Sequence, residues 1–239
     1  MAVYNIAGLY VEMTPQGSLL KKQALPYLAD RKGAVDFTIN IPANAIEEQV
    51  KRYPHLTFAE CEYLAYGAVF YHKLIDNMGF MLHSSAVVYD GYAYMFSGSC
   101  GAGKSTHTSL WVKHFGADKA FIINDDKPAI RYIDERFYVF GTPFSGKTDT
   151  SRNTSAPPAA LCFIEQGPEN EIIKLSTEEA IPRLLEQTTR SASGKRGDIL
   201  FDLLDKFLRS IDVYLLTCTI STQAVEIAYN AMSKRIKGE

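Results

Sequence analysis

The sequence has few of the features that mark secreted, membrane-spanning or metal-scaffold proteins. Its 239 residues include four cysteines, Cys61, Cys100, Cys162 and Cys218, and none of them has C-x-x-C spacing. A zinc site or a disulfide framework is therefore not expected, and reduced thiols in the cytoplasm are the better interpretation. No run of about 18 uncharged apolar residues occurs, and no basic segment precedes an apolar run at the N-terminus. Neither a membrane span nor a signal peptide is expected.

The chain also lacks an excess of charge of either sign. Its formal net charge is −2 at pH 7, so neither nucleic acid nor an anionic membrane is expected as a partner. Internal repeats, low-complexity segments and H-E-x-x-H spacing are absent from the sequence as well. The length fits one large domain, or one domain with a small addition, and it is ample for a sizeable core.

Hydrophobic periodicity predicts a mixed α/β fold. Strands are predicted at residues 4–11, 36–41, 81–90, 92–97, 120–124, 128–133, 136–141, 159–165, 171–176 and 213–220. Helices are predicted at residues 44–51, 57–77, 104–115, 177–188, 197–209 and from 221 onward. The string TFAE is a capping box that starts one helix at Thr57. We expect a central mixed sheet covered by helices over residues 79–239, preceded by a small accessory α+β region, residues 1–78.

The strongest motif is a glycine-rich string that matches G-x-x-x-x-G-K-S/T. Its glycines let the backbone wrap around an anion, and the following helix adds its positive N-terminal end. Lys104 would reach the β- and γ-phosphates of ATP or another nucleoside triphosphate, and the Ser105 hydroxyl would bind Mg²⁺. The alternative is an ordinary glycine-rich turn. The residues assigned to nucleotide binding here are Gly98, Ser99, Cys100, Gly101, Ala102, Gly103, Lys104, Ser105 and Thr106.

Two adjacent carboxylates, Asp125 and Asp126, close the predicted strand AFIIN. Mg²⁺ bound to a nucleotide needs hard oxygen ligands, and a strand end near a phosphate-binding loop is where they are found. Neighbouring acids at a strand end point in different directions, so one can hold the metal while the other accepts a proton from an attacking hydroxyl. We assign the first role to Asp125 and the second to Asp126. The alternative is a solvated turn, in which aspartate is common.

Two polar loops supply further candidates. The segment GTPFSGKTDTSRN carries Lys147 and Arg152, whose positive charges would meet the transferring phosphoryl group and the nucleotide. A solvated loop is the alternative. The segment RSASGKRGD, residues 190–198, is either a plain linker between helices or a mobile lid over the phosphates.

Three strings, LHSSAVV, GSCGAGKST and IINDDKPAIR, resemble the core of the HPr kinase/phosphorylase family in order and spacing. The resemblance implies a P-loop kinase core of the type shared with phosphoenolpyruvate carboxykinase, and phosphorylation of a serine hydroxyl. It places His83 near the γ-phosphate and matches Asp125 and Asp126 to the aspartates that bind Mg²⁺ and accept the proton. Without the resemblance, a lone histidine such as His83 in an apolar strand is more often a half-buried structural residue. Cys100 stands where the family has serine, so the chain resembles a divergent member.

The predicted function is therefore transfer of a phosphoryl group from ATP to a hydroxyl, serine above all, of a protein or peptide. A nucleotide-binding regulatory protein without transferase activity is one alternative, and a small-molecule or carboxykinase-like enzyme is another. The sequence does not choose between ATP and another donor, and it leaves the oligomeric state open, a homo-oligomer included. The residues assigned to catalysis are Asp126, His83, Lys104 and Lys147, and those assigned to the metal are Ser105 and Asp125.

Overall fold

The computed structural model describes residues 2–31, 33–189 and 193–238, which form a mixed α/β fold with three sheets. The strands are β1 (Ala2–Ile6), β2 (Leu9–Met13), β3 (Phe37–Ile39), β4 (Gly79–Met81), β5 (Ser84–Tyr89), β6 (Tyr92–Ser97), β7 (Ala120–Asn124), β8 (Ala129–Ile133), β9 (Arg136–Phe140), β10 (Ser155–Ala156), β11 (Pro158–Gln166), β12 (Glu171–Lys174) and β13 (Asp212–Cys218). The helices are α1 (Ser18–Ala24), α2 (Ala43–Arg52), α3 (Phe58–Asp76), α4 (Lys104–Phe115), α5 (Thr177–Glu186), α6 (Lys195–Ser210), α7 (Thr222–Met232) and α8 (Lys234–Lys237).

A six-stranded mixed sheet, in the order β12-β13-β11-β6-β5-β7, forms the centre of the fold. Strands β6, β11 and β13 run parallel, whereas β5 is antiparallel to both of its neighbours, β6 and β7. The register places Ser84 opposite Ser97 and Ala86 opposite Asn124. Because β5 lies between β6 and β7 and runs against both, its first residues and their last residues meet at one edge of the sheet. The sheet topology therefore gathers three chain segments at that edge.

Both faces of this sheet are covered, as the apolar character of its strands requires. Successive residues of β6 point to opposite faces. Tyr94 and Phe96 join the cluster formed with Trp111 of α4 and with α7, whereas Met95 joins the cluster on the other face. That second cluster contains Phe207 of α6 and residues of a four-stranded antiparallel sheet, β10-β9-β8-β4. The glycine-rich loop after β6 is thus carried by a strand whose side chains are fixed on both faces.

The N-terminal region forms a three-stranded sheet, β1-β2-β3, that packs with α1 and α3 around a third cluster. This cluster also contains Ala129 and Phe144, which come from the later part of the chain. Helix α3 reaches two clusters, because its Phe70 lies in the third and its Ile75 in the cluster around α6. Arg131 on β8 donates a hydrogen bond to the Ala7 carbonyl at 2.9 Å. The domain boundary at residue 78 stays a prediction. Helix α3, which precedes it, packs against residues from both parts of the chain.

The capping box at the start of α3 is confirmed, with the Thr57 side chain accepting from the Glu60 amide and the Glu60 carboxylate accepting from the Thr57 amide. The predicted strand over residues 4–11 is wrong, since it is a hairpin of β1 and β2 that turns at Ala7 and Gly8, both with positive φ. Gly8 was the turn signal in this run, but an isolated glycine within a strand pattern is also compatible with a bulge. The segment left without prediction between the first strands contains α1.

Helix α6 begins earlier than its periodicity predicts, at Lys195. Residues 195–198 of the predicted linker or lid are therefore helical, while residues 190–192 lie outside the described residues. All four cysteine thiols are free. Within the described part of the chain, no helix combines the length and apolar character needed to cross a membrane.

Candidate functional site

A polar cleft of about 460 Å³ lies at the edge where β6 and β7 end and β5 begins. Four segments that are distant in sequence meet there: three are brought together by the topology of the six-stranded sheet, and the fourth is the segment after β9. Most of the residues assigned to the site from the sequence line this cleft. The cleft is lined by His83, Cys100, Gly101, Gly103, Lys104, Ser105, Thr106, Asp125, Asp126, Ser145, Gly146, Lys147 and Thr148.

The glycine-rich loop, residues 98–103, connects β6 directly to α4. Gly98 has φ of 146°, and a Cβ at this position would lie 2.9 Å from the Ile164 carbonyl oxygen, so the neighbouring strand leaves room only for glycine. Gly103, with φ of 104°, precedes α4, and no side chain caps the first turn of this helix. In contrast, α3 and α5 both begin with complete capping boxes. The first N–H groups of α4 therefore have no side-chain partner, as at the starts of α1, α2 and α6, and in the cleft they are available to an anion.

The ammonium group of Lys104 lies over this loop. Its Nζ donates to the carbonyl oxygens of Gly98 at 2.9 Å and Ser99 at 3.0 Å. Only 8% of the residue is exposed, and burial lowers the pKa of Lys104 despite the opposing charges of Asp126 and Asp125. A buried cation beside uncapped helix amides is a suitable environment for phosphate oxygens.

Asp125 is buried and fixed by hydrogen bonds from the neighbouring elements. Its Oδ1 accepts from the Ser85 hydroxyl on β5 at 2.6 Å. Ser85 in turn lies 2.7 Å from the Thr108 hydroxyl on α4, and the Asp125 amide donates to the Thr150 carbonyl at 3.1 Å. Strand β5, helix α4 and the segment after β9 together hold this carboxylate at the sheet edge. A rigid, buried carboxylate is a suitable ligand for a hard cation.

Asp126 is hydrogen-bonded to His83 and forms an ion pair with Lys127. His83 Nε2 lies 3.3 Å from Asp126 Oδ1, and His83 Nδ1 lies 3.0 Å from Gln187 Oε1, which as an amide oxygen can only accept. Burial alone would raise the pKa of Asp126, but the His83 hydrogen bond and the Lys127 charge outweigh it, and the pKa falls below its ordinary value. Asp126 is therefore a carboxylate at neutral pH, oriented from two sides.

The turn at residues 145–148 closes over Asp126. A Cβ at Gly146, whose φ is 71°, would lie 2.9 Å from the Asp126 Cβ, so this turn rests directly on the carboxylate. The N-terminal region holds the turn in place, because the Gly146 amide donates to the Tyr63 hydroxyl at 2.9 Å and Gln23 Nε2 donates to the Gly146 carbonyl at 3.1 Å. Lys147 is exposed at the rim of the cleft.

The remaining sequence-assigned residues lie outside the cleft lining. Arg152 stacks over the Phe121 ring, with 4.3 Å between its guanidinium carbon and the ring centroid, and lines a separate depression of about 420 Å³. Gly98, Ser99 and Ala102 shape the loop but are not among the residues that line the cleft. Arg152 is thus not brought to the other site residues.

Several residues of the site were not found by sequence reasoning. Ser85 and Lys127 each lie within one or two residues of a site residue that was, and each contacts an aspartate of the pair. Gln187 and Tyr63 carry no local signal, because each reaches the site only through tertiary packing over a separation of 104 and 83 residues, respectively. Polar residues next to a motif were the one signal available in the sequence.

The cleft fits the triphosphate of a nucleotide with Mg²⁺. Besides the uncapped helix and Lys104, residue Ser145 is 1% exposed and its hydroxyl has no hydrogen-bond partner within the described residues, so it is available to a ligand in the cleft. No group of three or more His, Cys, Asp or Glu residues that could hold a metal occurs within the described ranges. A cation at Asp125 and Ser105 would therefore share its coordination with phosphate oxygens, as Mg²⁺ usually does.

Neither a family model nor a curated protein matches this sequence. Among solved structures, the chain is similar to the HPr(Ser) kinase/phosphatase from Coxiella burnetii, with a TM-score of 0.36 and 10% sequence identity. The match covers 66% of this chain and 97% of that chain. A likeness this distant says nothing about the chemistry of the cleft, which depends on the residues that line it.

Proposed function

We propose that this protein is an ATP-dependent kinase that transfers a phosphoryl group to a hydroxyl of a protein or peptide, with serine as the expected acceptor. The observation that supports this most directly is the meeting of the glycine-rich loop, Asp125 and Asp126 in one cleft. Phosphoryl transfer needs little from a protein besides positioning and charge stabilisation. On one side the cleft offers hydrogen-bond donors that can bind an anion, and on the other it offers two carboxylates that are held in different ways.

In the proposed complex, the amides at the start of α4 and Lys104 bind the phosphates of ATP. Ser105 and Asp125 hold Mg²⁺, which when bound neutralises charge on the transferring phosphoryl group. The Ser85 hydroxyl fixes Asp125, so the carboxylate needs no reorganisation when the cation arrives. Lys147, at the rim, adds positive charge near the γ-phosphate.

The transfer step assigns Asp126 as proton acceptor. The acceptor oxygen forms a bond to the γ-phosphorus, the bond from that phosphorus to the bridging oxygen breaks, ADP leaves, and the hydroxyl proton moves to Asp126. His83 orients the carboxylate by the hydrogen bond to Oδ1. The lowered pKa makes Asp126 a weak base. A loose transition state tolerates this, because it asks for a well-placed acceptor more than for a strong one.

One observation favours a second function, a nucleotide-binding regulatory protein that transfers nothing. Lys127 already neutralises Asp126, and a carboxylate in an ion pair is a poor proton acceptor. A regulatory protein would need Lys104 and the glycine-rich loop but not the proton acceptor. The two functions therefore differ in whether substitution of Asp126 matters.

The test is calorimetric titration with Mg²⁺·ATP, Mg²⁺·GTP and the corresponding diphosphates, followed by mass spectrometry of peptides incubated with ATP. Lys104→Ala should weaken ATP binding by about 10- to 100-fold, since it removes a charged hydrogen-bond donor. Lys113→Ala is the matched control, because Lys113 is exposed in the last turn of the same helix. Absence of Mg²⁺-dependent binding to every nucleotide would refute both functions. Binding without any phosphopeptide would favour the regulatory one.

A further inference from the structure

An apolar pocket of about 270 Å³ lies beside the polar cleft. Helix α3 supplies one wall through Tyr63, Leu64, Gly67 and Ala68, and Phe144 and Lys127 lie among the residues that complete the lining. A Cβ at Gly67 would lie 3.2 Å from the Phe144 ring, so the glycine lets this ring lie close against the helix. Neither the glycine-rich loop nor the aspartate pair belongs to this pocket.

The pocket and the cleft share a wall at two places. Lys127 lines the pocket, while its ammonium group pairs with Asp126 of the cleft. Phe144 lines the pocket, and the next residue, Ser145, lines the cleft. A hydroxyl placed at Asp126 is therefore one side chain away from the pocket. An extended peptide advances by about 3.3 Å per residue, so the pocket lies within one or two residues of such a hydroxyl.

The lining is suited to an apolar group. The rings of Tyr63 and Tyr71 lie 5.7 Å and 5.5 Å, respectively, from the Phe144 ring between centroids. Both tyrosine hydroxyls are hydrogen-bonded elsewhere, to the Gly146 amide and the Lys127 carbonyl, respectively, so the rings offer their apolar surface. Leu64 is 48% exposed at the pocket, which is a high value for a leucine on a largely buried helix. The volume is below the range of about 300–1,000 Å³ typical of whole small-molecule ligands, and it matches one large side chain better.

We propose that this pocket binds one large apolar side chain, aromatic or branched aliphatic, of the peptide or protein acceptor, at a position within two residues of the phosphorylated hydroxyl. The inference rests on the proposed kinase function and names the class of acceptor. Burial of such a side chain would favour acceptors that carry it by about 10- to 100-fold in kcat/KM over those with alanine. The specificity of transfer would then come from α3, outside the phosphate-binding loop.

Two substitutions of opposite kind test the pocket. Ala68→Trp fills it from an exposed helix position, and Leu64→Ala removes apolar surface from its rim. Neither residue lines the cleft, so both variants should bind Mg²⁺·ATP like the parent protein. Ile181→Ala is the control, because Ile181 is similarly exposed, at 42%, and lines another apolar pocket formed by α5 and α6.

The experiment uses nine-residue peptides with one central serine, in which each neighbouring position is Ala, Leu, Phe, Lys or Glu in turn, with labelled ATP. The expected result is a preference for Phe or Leu at one position within two residues of the serine. Ala68→Trp and Leu64→Ala should reduce that preference at least fivefold, whereas Ile181→Ala should keep it.

Phosphorylation without an apolar preference, or a preference that survives both pocket variants, would overturn the inference and leave the kinase function standing. If Mg²⁺·ATP binds but no peptide is phosphorylated, the kinase function itself fails and the inference falls with it. Calorimetric ATP binding and thermal unfolding of each variant show that the fold and the cleft are intact.

Discussion

The polar cleft and the apolar pocket are neighbours with opposite construction. The cleft is built from strand ends and the uncapped start of α4, and the rigidity of the six-stranded sheet fixes its charged groups. The pocket is built from side chains of α3 and from Phe144, whose apolar surfaces line it, while the hydroxyls of Tyr63 and Tyr71 are hydrogen-bonded outside it. Lys127 lies between them: its ammonium group pairs with Asp126 of the cleft, and the residue also lines the pocket. Under the proposed function, the cleft would carry out phosphoryl transfer and the pocket would select the acceptor.

The largest expected effect is on the rate of phosphoryl transfer, and it comes from a substitution in the cleft alone. Asp126→Asn should lower the rate of transfer by about 10²–10⁴-fold and leave Mg²⁺·ATP affinity nearly unchanged, because it removes the proton acceptor but no phosphate or metal ligand. Asp125→Asn, the neighbouring substitution, should mainly reduce Mg²⁺-dependent affinity. Single-turnover kinetics and calorimetry on both variants provide the check. Equal effects of the two substitutions on rate and on affinity would show that the aspartates do not divide these roles.

Most of the residues that line the cleft could be identified from the sequence because local constraints fix their positions. Gly98 must avoid the carbonyl of Ile164, and the two aspartates must follow a strand directly. Such constraints leave spaced residue types that can be recognised without knowing the fold. The side chains that lie behind the cleft, such as Gln187, come from elements whose partners only the folded sheet determines.

The residues that line the pocket form no such recognisable pattern in the sequence. The capping box at Thr57 predicted where α3 begins, but helical periodicity does not say what the exposed face of a helix lies beside. The positions of Leu64 and Gly67 in the pocket depend on Phe144, more than 70 residues later in the chain. The apolar run over β1 and β2 was similarly ambiguous, since Gly8 alone marked its turn, and an isolated glycine in a strand pattern is also compatible with a bulge. Tertiary contacts, not local propensity, therefore determine the apolar pocket.

A second prediction concerns the effect of low pH on stability, through a buried residue of α4, the helix whose first turn lines the cleft. His107 is buried in α4, accepts a hydrogen bond from Trp111 Nε1 at 3.0 Å, and burial lowers its pKa to about 4. The unfolded chain binds a proton at this residue below about pH 6.5, whereas the folded chain does not until about pH 4. This contribution to stability is therefore complete above pH 6.5 and is lost as the pH falls, by about 2 kcal/mol between pH 7 and pH 5.

Urea unfolding at the two pH values measures this loss. His107→Gln keeps an acceptor for Trp111 and should abolish about 2 kcal/mol of the acid sensitivity. His114→Gln should not, since His114 is exposed in the last turn of the same helix. If both variants retain the full acid sensitivity of the parent protein, the buried histidine is not its source.

The smallest expected effect comes from Tyr63, which lies in the wall that the pocket and the cleft share, and it distinguishes the two regions. Tyr63 lines the pocket with its ring and holds the turn over Asp126 with its hydroxyl. Tyr63→Phe keeps the ring and leaves the Gly146 amide without its acceptor, so it should cost about 1 kcal/mol of stability. Tyr66→Phe is matched to it, because Tyr66 is on the same helix and its hydroxyl donates to the Thr14 carbonyl at 3.2 Å, away from the cleft.

Both variants should therefore unfold at similarly lower urea concentrations, but only Tyr63→Phe should weaken the cleft. Release of the turn at residues 145–148 would loosen the packing of Gly146 on Asp126 and move Lys147, so transfer should slow by about three- to tenfold. The preference of the peptide library for an apolar neighbour should stay, because the Phe ring still lines the pocket. A Tyr63→Phe variant that loses this preference while it transfers phosphate at the normal rate would assign the hydroxyl to the pocket instead. The cleft and the pocket would then be one recognition surface and not two regions joined by a wall.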